Sequence, residues 1–350
     1  MPEGAKREGK AKKPPEDVIL KDSQEPEGLP EVKGFDFSKS IKDFDIAGFL
    51  QSYASTGFQA THLAKGIEII KEMRKENATI FLAYTSNMAS SGLRDIIAWL
   101  VKNRLVDVLV TTAGGVEEDA IKCLKPFLIG DFECDDEDLR EKGINRIGNI
   151  LVPNDRYIEF EKLMNPFFER LHRMQEENGR GYGIISASDF IRELGSEIDA
   201  KVEDKSLKDK SILYWAAKNE IPVFCPPLTD GSIGDMLYFY KKKNPDFRLD
   251  MSDDVIKIND IALNSEKTGV IALGGGTAKH HAINANLFRE GTDYAVYVCT
   301  GTEGDGSIAG ARPKEGKAWG KIKADATEAH IEGDATIIFP LLVLGGFKNE

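Results

Sequence analysis

The chain has 350 residues, 41% hydrophobic and 30% charged, which supplies one or two sizeable cores and excludes a mostly disordered protein. Acidic residues number 58 against 46 basic ones, and the resulting net charge of −12 repels phosphate backbones and argues against nucleic-acid binding. No apolar run reaches the roughly 18 residues that span a bilayer, and the charged N-terminus has no apolar core, so neither a membrane span nor a secretory signal is expected and the chain reads as cytoplasmic.

Residues 1–33 are dense in Lys, Glu and Pro and read as a flexible charged segment, in which only Val18-Ile19-Leu20 could dock. Residues 34–350 read as a single large domain with no internal repeat. Apolar spacing predicts a helix over 65–76, then a buried strand over 79–85 and a helix over 90–103 with Ser90 or Ser91 as its cap. A second strand is expected over 106–112, followed by a helix of about 10 residues. Long helices are expected over 157–178, 186–199 and 208–219, and a third strand over 221–226 leads into a helix ending in three lysines. A fourth strand over 268–274 opens a helix at Thr277, and a fifth spans 294–300. Residues 302–317 read as loop, and 337–345 as a short apolar helix or strand. Strands apolar on both faces and separated by helices imply an α/β, doubly wound, mainly parallel sheet, whose ligands sit beyond the C-terminal strand ends.

The residues just after those strands share a chemistry. They are Ser86, Asn87 and Ser90; Thr112, Ala113, Gly114, Glu117 and Glu118; Asp230 and Asp235; Gly274-Gly275-Gly276 and then His280-His281; and Thr300, Gly301, Asp305, Gly306 and Ser307. Glycines admit a ligand close to the backbone and helix N-termini hold phosphates, so the rim suits a dinucleotide although no GxGxxG fingerprint is present. The acids suit a polycation such as a polyamine. Taken alone, Glu117-Glu118 also fit the first turn of a helix, and Asp230 and Asp235 fit turns or caps. The five histidines make no metal-binding spacing, and four scattered cysteines read as reduced and mostly buried, so no metal site is expected.

The segment AWGKIK places Lys321 between Trp319 and Lys323. A lysine forms an imine only when neutral, and burial beside an aromatic face or near another cation moves it that way. On their own, Lys321 reads as a surface lysine and Trp319 as core. His280 offers a general base or a hydrogen-bond donor, or is structural.

At TSNMASSG (85–92), VDVLVTTAGGVEED (106–119), INRIGNILVPN (144–154), IPVFCPPLTDGSIGD (221–235), LGGGTAKHHAINANL (273–287), DYAVY (293–297), AWGKI (318–322) and DATIIFPLL (334–342), the sequence resembles the deoxyhypusine synthases. The resemblance runs from Gly34 almost to the C-terminus. It implies a Rossmann-like NAD-binding fold and a homotetramer with sites at subunit interfaces. It also implies NAD-dependent transfer of the butylamine group of spermidine, through an imine on Lys321, to a lysine of the precursor of the hypusine-containing translation factor. His280 matches the family's base. The NAD contacts implied are Ser86, Asn87, Ser90, Thr112, Ala113, Gly114, Glu118, Asp230, Gly275, Thr300, Gly301, Asp334 and Ala335. The spermidine contacts implied are Glu117, Glu118, Asp235, His280, Gly306, Ser307, Glu315, Trp319 and Lys321. Residues 1–33 match a segment that plugs a neighbour's entrance. Ile308 stands where the family carries an acid, and Gly301 where it carries alanine. The alternative readings are homospermidine synthesis with putrescine as acceptor, a silent paralogue, and a dinucleotide-sensing module; the last has no use for Lys321.

Overall fold

The computed structural model describes residues 27–38, 44–177 and 183–348. The segment containing Val18-Ile19-Leu20 lies outside the described residues, and residues 27–33 are exposed. The strands are β1 (Thr79–Tyr84), β2 (Val108–Val110), β3 (Leu128–Ile129), β4 (Ile144–Ile147), β5 (Ile150–Pro153), β6 (Ile185–Ser186), β7 (Val223–Phe224), β8 (Leu249–Asp250), β9 (Thr268–Leu273), β10 (Thr292–Cys299) and β11 (Ile322–Glu332). Six of them form one sheet in the order β11-β10-β9-β1-β2-β7, every neighbouring pair parallel. The chain starts in the middle at β1, winds outward through β2 and β7, and crosses back to β9, β10 and β11. The switch point therefore falls between β1 and β9.

Alternate residues of these strands feed two cores. Leu82, Leu109, Ile271 and Val296 join helices Phe58–Lys75, Leu93–Lys102 and Ala335–Gly346 on one face. Phe81, Val108, Val270 and Ala295 meet helices Asp253–Leu263 and Gly276–Asn284 on the other. Burial on both faces explains the unbroken apolar runs and forces helical cover on each side. Helix Leu93–Lys102 shows the pattern that makes this possible, with Leu93, Ile97, Leu100 and Val101 on one stripe.

The structure corrects three expectations and decides a fourth. A sixth strand, β11, forms a sheet edge; residues 323–328 are exposed or half-buried, and their sequence has no apolar run. Within 302–317 a helix begins at Pro313, the residue type best suited to a first helical position. Residues 335–346 are helical, which settles the open alternative for 337–345. Trp319 is 66% exposed rather than core.

One buried polar hub ties three helices. Arg94 Nε donates to Asp119 Oδ1 at 2.6 Å, with both side chains at most 2% exposed. Asp119 also accepts from Ser211 Oγ at 2.7 Å, Ile212 N at 3.0 Å and Leu213 N at 2.9 Å, closing the start of helix Ile212–Asn219. Removing one partner of such a pair strands a buried charge. Asp119→Ala is therefore expected to cost about 3–5 kcal/mol in chemical denaturation. A loss below about 1 kcal/mol would mean that the hub contributes little.

Candidate active site

Because all six strands run one way, the segments after β1, β2, β7, β9 and β10 collect on a single rim. The helices that start there lack side-chain caps: Ser86–Ser90, Ala113–Leu124, Ser232–Lys243 and Gly276–Asn284. Elsewhere caps are common, from Asp45, Asp135, Ser186, Asp204 and Ser211, and after β11 the rim itself has one, Asp334. Thr112 and Glu117 reach across to Ser86 N and Ile233 N at two of these starts, while Ala113–Leu124 and Gly276–Asn284 begin with no side-chain acceptor from the preceding residue. The triglycine turn has a separate reason for each position. Gly274 and Gly276 hold φ of +82° and +60°, and a Cβ on Gly275 would lie 2.3 Å from Ala309 Cα. Space before Gly276 is open.

The first group of residues gathers after β1, β2 and β7. Thr112 Oγ1 accepts from Ser86 N at 3.2 Å, Thr85 Oγ1 donates to Asn87 Oδ1, and Ser90 Oγ donates to Glu118. A side chain at Gly114 would strike Ser86 and Glu118. Glu117 Oε2 accepts from Ile233 N at 2.9 Å, placing its carboxylate at the start of helix Ser232–Lys243. The helix after β2 begins at Ala113, so Glu117 and Glu118 lie beyond its first turn and are buried. The first-turn explanation for this pair is overturned. Burial pushes the Glu118 carboxyl up to about 7, with Glu117 adding to the rise and Ser90 opposing it. Burial raises Glu117 as well, against hydrogen bonds from Ile233 and Ser232. Asp235 lies in the first turn of helix Ser232–Lys243, exposed, and its charge acts on Glu117. Asp230, Thr300 and Asp334 are exposed on the rim, Asp334 as the cap of Thr336 N, while Ala113 and Ala335 are buried.

The second group lines a cleft of about 280 Å³ formed by Lys279, His280, Ile283, Tyr297, Gly306, Ile308, Ala311, Arg312, Glu315, Gly316, Trp319 and Lys321. Lys321 Nζ lies 2.9 Å from His280 Nε2 and 5.3 Å from the centre of the Trp319 ring. Burial and then the Lys321 charge lower the His280 pKa, which favours neutral imidazole. Lys323, expected to act as a neighbouring cation, is neutralised by Asp293 at 2.5 Å. The partner of Lys321 is the histidine.

Lys279 stands in the sequence beside His280 with no role assigned. It is 1% exposed, donates to Ala311 O at 2.5 Å, and sits 4.3 Å over the Tyr297 ring. Burial lowers its pKa to about 8. With Cys299 Sγ, which bonds Gly301 N and Ala309 O at 3.0 Å each, it anchors the loop carrying Gly301, Gly306 and Ser307. Its only sequence signal is adjacency to His280. Ile308 packs against the core beside Ala326 and forms an apolar wall, whereas Asp305 holds Ser307 N at 2.8 Å and does not line the cleft.

The structure does not bring all implied polyamine residues together. Glu315, Trp319, His280, Gly306 and Lys321 share the cleft; Glu117, Glu118, Asp235 and Ser307 are outside its lining. On the surface, His172, Glu176 and Asp246 place ligand atoms within 4.8 Å of one another, with His172 Nε2 3.5 Å from Asp246 in ion-pair geometry.

A parallel α/β sheet with a lysine–histidine pair in a cleft between the start of β11 and the helix after β9 is the framework of an enzyme that works on an amine. The family model for deoxyhypusine synthase matches residues 48–345, and the chain belongs to that family. "Probable deoxyhypusine synthase" of Methanocaldococcus jannaschii is 60% identical over 294 residues, covering 82% of this chain and 88% of its own. That of Pyrococcus furiosus is 54% identical, covering 94% and 97%. "Deoxyhypusine synthase" of Caenorhabditis elegans is 46% identical, covering 95% and 94%. A crystal structure of a candidate deoxyhypusine synthase from Entamoeba histolytica superposes with a TM-score of 0.64 at 28% identity, covering 90% of this chain and 96% of that one. The chain's activity is that of deoxyhypusine synthase, and homospermidine synthesis finds no support in these comparisons. No helix among the described residues is long and apolar enough to cross a membrane.

The raised Glu118 carboxyl has a testable sign. Between pH 4.5 and about 7 the folded chain holds a proton that the unfolded chain has lost, so rising pH costs stability in that window. Glu118→Gln is expected to melt higher than wild type at pH 8, with the advantage shrinking as pH falls toward 4.5. An advantage independent of pH would contradict the assignment.

Proposed function

We propose that this chain transfers the aminobutyl group of spermidine, through an imine on Lys321, to a lysine of the precursor of the hypusine-containing translation factor, with NAD as cofactor. The observation that carries this reading is the 2.9 Å contact between Lys321 Nζ and His280 Nε2 inside a cleft. A neutral imidazole nitrogen at that distance accepts an ammonium proton, leaving Lys321 an amine able to attack an oxidised carbon. Trp319 and Glu315 flank the same space and suit the alkyl chain and cationic end of a polyamine.

The strand order, read from β7, is that of the doubly wound dinucleotide-binding sheet, and its switch point lies between Ser86-Asn87 and Gly274–Gly276. The uncapped helix starts and the open space before Gly276 fit a pyrophosphate. Ser86, Asn87, Ser90, Thr112, Ala113, Gly114, Glu118, Asp230, Gly275, Thr300, Gly301, Asp334 and Ala335 would hold the cofactor, by contact or by backbone. When bound, NAD supplies a hydride acceptor. This chain's residues orient the amine, carry its proton and shield the imine.

Three acids and the reactive lysine fall in separate places within one chain, which supports a homotetramer whose sites form where subunits meet. Glu117, Glu118 and Asp235 of one subunit would then face the Lys321 cleft of another. The exposed Trp319 and Phe288, at 66% and 68%, are apolar surface available to such an interface.

With spermidine labelled in its butylamine part, NAD and the acceptor precursor, label is expected to move to the acceptor protein. Borohydride added during turnover traps an adduct that peptide mapping places on Lys321. Lys321→Arg and Lys321→Ala should fold, bind NAD and lose transfer, while slow spermidine cleavage persists; His280→Ala should lose both. An adduct on Lys279 or Lys323, or full transfer by Lys321→Ala, would overturn the assignment.

A further inference from the structure

We propose that Lys122 is a positioning residue for the strand-end pocket, holding the segment 86–91 against Glu118 and so setting the affinity for a dinucleotide. The inference rests on the reading that Ser86, Asn87, Ser90 and Glu118 contact NAD. Lys122 stands one turn beyond Glu118 on helix Ala113–Leu124. Its Nζ donates to three successive carbonyls, Ala89 O at 2.9 Å, Ser90 O at 2.9 Å and Ser91 O at 3.1 Å. An ammonium has three donors, and all three are used.

Those carbonyls end the short helix Ser86–Ser90, where C=O groups lack intrahelical partners and carry partial negative charge. The same segment presents Ser86 N to Thr112 and Ser90 Oγ to Glu118. Releasing the carbonyls frees 86–91 to move as a unit away from the rim, with Lys122 itself on the protein side of it. The groups acting on Lys122 are Arg94 and Asp95 from helix Leu93–Lys102, and Asp119 and Glu118 from its own; the Phe127 ring lies 5.6 Å away. Burial, then Arg94, lowers its pKa to about 8. Deprotonation removes the charge and one donor. Glu118 and Lys122 act on each other's charge, so the two effects are told apart by substitution at Lys122.

The test is NAD affinity by calorimetry on the full chain, with steady-state kinetics alongside. Lys122→Met keeps the stem and removes the three donors. It should weaken NAD about tenfold or more, with kcat at saturating NAD within about threefold of wild type. Lys125→Met, which removes a surface partner of Asp155 on the same helix end, should leave NAD affinity unchanged. Wild-type affinity should fall as pH rises through about 8, and the fall should be smaller in Lys122→Met. Wild-type NAD affinity that is flat through pH 8, unchanged affinity in Lys122→Met, or a loss confined to kcat overturns the proposal. A wild-type chain that binds no NAD overturns the underlying reading instead. If Lys122→Met does not fold, Lys122→Arg, which keeps donors and stays charged, decides: a weaker fall in affinity through pH 8 supports the proposal and a wild-type fall overturns it.

Discussion

The parallel run of all six central strands is the constraint on which the rest depends. A sheet buried on both faces admits helical crossovers on each side and has a single carboxyl rim. Every segment between a strand end and its helix is therefore delivered to the same edge of the molecule, whatever its distance in sequence. Ser86, Gly114, Asp235, Gly275 and Gly301 are neighbours of that edge for this reason alone. Helices on both sides take up the apolar faces, leaving the rim free to be small, polar and acidic.

The five central strands and the helices between them were legible because burial on both faces writes an unbroken apolar run. β11 was not. It is a sheet edge most buried at its ends, and its middle residues, Lys323 to Glu328, carry no apolar run to mark a strand. The short hairpin β4–β5 was unread as secondary structure for a related reason, since most of its residues are only half-buried. A few wide cores announce themselves in sequence; narrow or one-sided elements do not.

The site was legible unevenly. Rim residues followed from strand ends, and Lys321 stood out through its aromatic neighbour and its motif. Its true partner, His280, is 41 positions away and became visible only when helix Gly276–Asn284 met the start of β11. Lys323 misled because adjacency in sequence says nothing about pairing across strands, and Asp293 on β10 claims it. Lys279 and Lys122 were invisible for another reason: both spend their ammonium groups on backbone carbonyls, and carbonyls carry no residue-type signature. Glu117 and Glu118 looked like dipole-matched surface acids until the helix was seen to start at Ala113, which moves them inside.

The missing caps carry a consequence for how this molecule can change. Ser, Thr, Asp or Asn at a helix start is usually worth about 1 kcal/mol, and the protein uses such residues at Asp45, Asp135, Ser186, Asp204, Ser211 and Asp334. Before helix Gly276–Asn284 it has Gly275, and before Ala113–Leu124 a threonine whose hydroxyl faces Ser86 instead. The rim has been kept below its attainable stability. Selection for heat resistance alone would drift toward capping residues at those two starts, and each gain there would close a backbone donor that a bound phosphate could have used.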